Sequence, residues 1–179
     1  MNSAKWYACQ LSMIMANILK CLLFVFICRT TNGGSGGDGG FGGDPPPPVK
    51  AAFTATLPGG VNPYGQNEKI RYNRMLCTEA GYNHYTGIFT VGEGKAGNYL
   101  VSVTMMSGFV TAHTTLRKNG AIYVWLYTGN QYDMATQTVC MELEEGDTIW
   151  VQMNNKASSL FDVYNTFTAV RINGFDPSK

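Results

Sequence analysis

Charge is scarce in this 179-residue chain, and histidine is nearly missing. Asp, Glu, Lys and Arg make up 14% of it, against about 25% in a typical soluble protein, and the formal net charge is +1. That excludes the broad field with which a protein gathers nucleic acid or an anionic membrane. The two histidines, His84 and His113, stand far apart with no H-E-x-x-H or C-x-x-C spacing around them. Metal catalysis and histidine-dependent triads therefore have little material, and no enzyme is expected. No segment carries a convincing 3.6-residue period, so helices are not expected either. Past the N-terminal segment there is no Asn-x-Ser/Thr sequon, which removes N-glycosylation.

Long apolar runs are lacking too. Residues 21–28, CLLFVFIC, end at Arg29 and fall short of the roughly 20 apolar residues of a membrane span. Residues 1–30 read as a secretory signal peptide, with an uncleaved signal-anchor as the other reading and Met15 as an alternative start. Stable membrane insertion is not expected. Residues 31–50 are a tether, GGSGGDGGFGGDPPPP and its flanks. Its glycines come in pairs rather than at every third position, so no collagen helix forms. Of the five cysteines, three fall in the signal segment, leaving Cys77 and Cys140. In an oxidising compartment they could form one disulfide; two buried thiols are the equal alternative.

What is present is β-strand pattern. Strands are expected over residues 51–57, 69–77, 85–91, 97–107, 109–118, 121–127, 135–143, 148–153 and 161–173. Gly97 releases a run alternating as Tyr99, Val101, Val103, and Ile149, Val151 and Met153 share one face of theirs. Asn119-Gly120 is the strongest hairpin signal, because a type I′ turn needs positive φ at both residues. Short strands at this spacing predict an all-β sandwich or jelly roll.

Two formal motif matches fail on context. Residues 33–37 fit G-x-S-x-G, but sit in the glycine tract without the strand–turn–helix that a nucleophile elbow requires. Residues 92–97 fit G-x-G-x-x-G, but open a strand rather than the helix that would hold a pyrophosphate. Glu142, Glu144, Glu145 and Asp147 could suggest calcium; without an Asp-x-Asp loop, a solvated turn is the expectation. His84, between Tyr82 and Tyr85, suits either a ligand surface or an ordinary turn. Tyr123, Trp125, Tyr127 and Tyr132 suit a carbohydrate or protein surface. Their alternation equally fits one buried sheet face, and core packing is the expectation.

Seven fragments then occur in order: AFTA at 52–55, IRY at 70–72, YNHYTGIF at 82–89, GNYLV at 97–101, LRKNG at 116–120, LEEGDTIWV at 143–151 and TFTA at 166–169. Together they resemble the globular head of complement C1q and its relatives, which share the jelly roll of tumour necrosis factor. The head covers residues 51–175. The sequence departs from the family pattern at residues 77–81, in the longer stretch between Phe89 and Gly97, and at Ala169. The resemblance implies a ten-stranded jelly roll assembling as a homotrimer, with higher oligomers open. It allows calcium without assigning it residues, and leaves the ligand-binding positions unknown. It further implies a secreted, head-only, lectin-like recognition protein of innate immunity, of the kind found in invertebrates. The ligand is then a glycan or another surface pattern. A signalling or synaptic-organiser ligand for a protein receptor, or a structural protein of a secreted matrix, are the alternatives.

Overall fold

The computed structural model of the protein describes residues 51–78, 81–154 and 156–174, all within one compact unit. The expected signal peptide, the tether and the match at 33–37 lie outside them. Among the described residues there are twelve strands and one 3-10 turn. The strands are β1 (Ala52–Thr56), β2 (Val61–Tyr64), β3 (Arg74–Thr78), β4 (Tyr82–Asn83), β5 (Ile88–Thr90) and β6 (Gly97–Met106). They continue with β7 (His113–Lys118), β8 (Ala121–Tyr127), β9 (Met134–Leu143), β10 (Thr148–Met153), β11 (Ser158–Phe161) and β12 (Thr166–Gly174). No helix of the described residues is long and apolar enough to cross a membrane.

Ten strands form two five-stranded antiparallel sheets, one in the order β3-β1-β12-β6-β9, the other β4-β5-β10-β7-β8. The expected jelly roll is therefore present, with β2 and β11 pairing as an additional ribbon. The alternation explains the packing. Along β6 every second side chain is buried, and along β10 Ile149, Val151 and Met153 face inward. Period-2 apolar strands bury one face each, and two such faces close a core.

The aromatic landmarks of the sequence are that core. Phe53 stacks on Tyr82 at 4.4 Å between ring centroids and on Phe89 at 5.1 Å, while Phe167 meets it edge-on at 4.9 Å. Tyr72 leans on Phe167, and Tyr99 meets Phe89. Burial and edge-on geometry make such rings the largest apolar contributors to a small domain. Burial holds the Tyr72 hydroxyl in its neutral form, its pKa well above the ordinary value. That hydroxyl has no hydrogen-bond partner. The Tyr99 hydroxyl instead donates to the Lys95 carbonyl at 2.6 Å.

Several expectations need correction. Residues 69–73 are not strand: only an isolated bridge joins Lys69 to Gln152, although Ile70 and Tyr72 are buried. The strand expected over 85–91 shrinks to β5, because residues 84–87 turn, and that over 109–118 begins at His113. The last expected strand divides into β11, the turn Asp162–Tyr164 and β12.

Cys77 and Cys140 are free and exposed. They sit on β3 and β9, the two opposite edges of one sheet. Four strand spacings separate those edges, roughly 19 Å at about 4.8 Å each. A disulfide needs Cα atoms within about 7 Å, so no bond forms between them within one chain.

Candidate functional site

The described surface has a cleft of about 550 Å³ lined by Pro58, Asn62, Pro63, Tyr64, Arg71, Asn73, His84 and Tyr85. Three stretches build it: the loop after β1 with β2, the extended segment before β3, and the turn between β4 and β5. Each is fixed by its own local chemistry.

In the first, the Asn62 amide donates to the carbonyls of Pro58 at 3.1 Å and Gly60 at 3.0 Å, closing the loop. In the second, Glu68 accepts from the Gly65 N–H at 2.8 Å and pairs with Arg71 at 3.1 Å. The Ile70 N–H donates to Val151 O and the Met153 N–H to Glu68 O, both at 2.8 Å, which stitches this segment to β10. In the third, the Asn83 side chain accepts from the N–H groups of Tyr85 at 2.9 Å and Thr86 at 3.2 Å, an Asx turn. Gly87 completes it at φ 73°, and a Cβ there would stand 2.5 Å from the Ile70 carbonyl. Only glycine lets the turn lie this close against the segment carrying Arg71.

The outcome is an aromatic wall. The His84 and Tyr85 rings lie 3.9 Å apart between centroids, and Tyr85 is 78% exposed. Opposite in character, Tyr64 is almost fully buried, and burial pushes its hydroxyl up to about 12. The Arg71 charge is already met by Glu68. The cleft thus offers amides, hydroxyls and ring faces with little net charge. That chemistry suits a hydroxyl-rich neutral ligand, and it contains no nucleophile–base pair.

Other residues singled out by the sequence are placed elsewhere. The G-x-G-x-x-G loop leads into strand β6, and its Gly94 N–H donates to Glu145 at 2.7 Å. Asp147 accepts from Lys118 at 2.8 Å, from the Asn119 amide at 2.6 Å and from the Glu144 N–H at 2.9 Å. Burial raises its carboxyl pKa, but those hydrogen bonds outweigh it and hold the group below its ordinary value. Among the described residues no three His, Cys, Asp or Glu side chains gather into a metal-sized group. His113 lies on β7, its Nδ1 3.3 Å from the Asn154 amide nitrogen, between Trp125 and Tyr127.

Trp125 and Tyr127 do not pack in the core as expected: they are 49% and 63% exposed on β8, as is much of Tyr123. The buried face of that strand is Leu126, with Val124 packed against the core. The other cleft residues were missed, since they come from loops that become neighbours only on folding. His84 and Tyr85 alone gave a signal, an aromatic cluster beside Thr86-Gly87.

The family model for the C1q domain matches residues 52–170. The chain belongs to the C1q domain family. No curated protein matches the sequence. Its fold is similar to the globular domain of zebrafish complement 1qA protein, at 16% identity and TM-score 0.59, covering 70% of this chain and 100% of that one. It is also similar to the Eiger TNF of S. frugiperda, at 14% identity and TM-score 0.58, covering 73% and 98%. Murine APRIL follows at 15% identity and TM-score 0.53, covering 69% and 100%. At these identities the likeness establishes the jelly roll alone. Within this C1q domain the cleft is formed by the chain's own loops together with β2 of the additional ribbon.

Proposed function

We propose that this C1q-domain protein is a secreted, trimeric, lectin-like recognition molecule of innate immunity that binds glycans without catalysing a reaction. Residues 1–30 then serve as the signal peptide, 31–50 as the tether and 51–175 as the head. The observation that carries the reading is the neutral, aromatic-walled cleft. The exposed face of Tyr85 stacks on a sugar ring, and Asn62, Asn73 and the His84 ring exchange hydrogen bonds with its hydroxyls.

Two separate apolar patches support the trimer. One is the edge formed by Tyr123, Trp125 and Tyr127. The other lies on the outer side of the opposite sheet, where Leu76 is 58% and Ile172 53% exposed, with Val170 between strands β1 and β6. Patches of unlike composition on different sides of one molecule suit head-to-tail association, which closes into a ring of three when successive subunits are related by a 120° rotation.

The test is a glycan array covering sialylated and microbial glycans, probed with the assembled head and with a monomeric form. Selective binding that weakens at least tenfold on monomerisation is the expected result, as multivalent attachment requires. Failure across the array removes the lectin reading. A second reading, a signalling ligand for a protein receptor, is favoured by exposed Phe109 and Val110 on the loop before β7. Receptor capture without any glycan binding would select it.

A further inference from the structure

Both free thiols lie on the outer face of one sheet, Cys77 at its β3 edge beside Leu76 and Cys140 at its β9 edge, next to the aromatic strand β8. Cys77 on β3 directly follows exposed Leu76, on the row that continues through Thr54 and Thr168. Cys140 on β9 stands opposite Leu100, and the Tyr123 hydroxyl donates to its carbonyl at 3.2 Å. Cys140 thus adjoins the aromatic edge and Cys77 the sheet face that would receive such an edge. Neither is buried, and within one chain they cannot meet. In a head-to-tail ring every subunit turns its β8–β9 edge towards the β3 side of the next. One interface then carries one Cys140 and one Cys77.

We propose that Cys140 of each subunit forms a disulfide with Cys77 of the next, closing the trimer covalently. The proposal rests on the ring reading above. Each bond forms from two thiols, which give up two protons and two electrons. A low-molecular-weight disulfide, such as oxidised glutathione, takes them and leaves as two thiols, the exchange proceeding through a mixed disulfide. An oxidising extracellular setting keeps the bond. The ring then persists at dilutions where the apolar contacts alone would release subunits.

The experiment uses the full chain, secreted by the expression host, as wild type, Cys77→Ser and Cys140→Ser. Both positions are exposed, so serine leaves the fold intact. Each protein is incubated with oxidised glutathione and run on denaturing gels without reductant, and linked peptides are mapped by mass spectrometry. Wild type should give a ladder ending at a covalent trimer, with a peptide joining residues 77 and 140. Each single variant should give no species joined through its remaining cysteine. Co-expressed, the two variants should give covalent dimers and no covalent trimer, since each mixed ring then has a single contact carrying both thiols.

Dimers of Cys77→Ser alone, joined through Cys140 to Cys140, would overturn the proposal. So would a trimeric native mass in which wild type forms no bond. The ring reading is judged separately, by native mass in the presence of reductant: a monomer there rejects the ring itself.

Discussion

Replacing Tyr72 by phenylalanine should stabilise the protein. The ring is fully buried against Phe167, and its hydroxyl has no hydrogen-bond partner. Folding strips water from that hydroxyl and returns nothing, a penalty of about 1–3 kcal/mol for a neutral polar group. Phenylalanine keeps the ring, so the aromatic contacts survive. It also keeps the backbone carbonyl that accepts from the Tyr82 hydroxyl at 3.1 Å. Deleting one oxygen leaves a void too small to offset the gain. The net expectation is about 1 kcal/mol of added stability, or a Tm rise of about 3–6 °C for a domain of this size. Urea denaturation of wild type and Tyr72→Phe, at equal chain concentration and with reductant, measures it. Equal concentration matters because assembly contributes to apparent stability. The m-value should not change. A loss of stability of about 0.5 kcal/mol or more would show instead that the hydroxyl is satisfied in the folded protein.

Three further outcomes are expected. Gly87→Ala, forced to keep a positive φ against the Ile70 carbonyl, should lose about 2 kcal/mol or more in urea and displace the His84–Tyr85 turn. Asp147→Asn should lower stability by about 1–2 kcal/mol at pH 7. The native Asp147 pKa is depressed, so its contribution is present above the ordinary value of 3.8 and fades as pH falls through the lower native pKa. Wild type and Asp147→Asn should therefore converge in acid, which thermal melts between pH 7 and 2 would show. Trp125→Glu, placing charge in the aromatic edge, should convert the proposed trimer to monomers by native mass with the far-UV spectrum unchanged.

Much of the sandwich was legible from local pattern. Asn119 and Gly120 take φ of 50° and 90°, as the hairpin signal requires, and β8 and β10 run over the expected residues. The ribbon of β2 and β11 was not legible. Each strand has four residues, β2 contains Pro63, and their pairing joins segments almost a hundred positions apart. The face of β8 was misjudged for a general reason: alternation separates two faces without saying which is inside. Here Leu126 faces the core, and the rings of Trp125 and Tyr127 face out. The cleft was legible only at His84 and Tyr85. Arg71, Asn73 and Asn62 carry no pattern of their own, and reach it because Gly87 and the Glu68 contacts draw three loops together.

Whether the cleft takes a saccharide is decided by titration. The saccharide bound best on the array is titrated by calorimetry into wild type, Tyr85→Ala and Phe109→Ala, the last lying outside the cleft. Binding should weaken at least about fivefold for Tyr85→Ala and change less than twofold for Phe109→Ala, since loss of an aromatic stacking face removes about 1–3 kcal/mol. Unchanged affinity in Tyr85→Ala, with its fold intact, would contradict binding in the cleft.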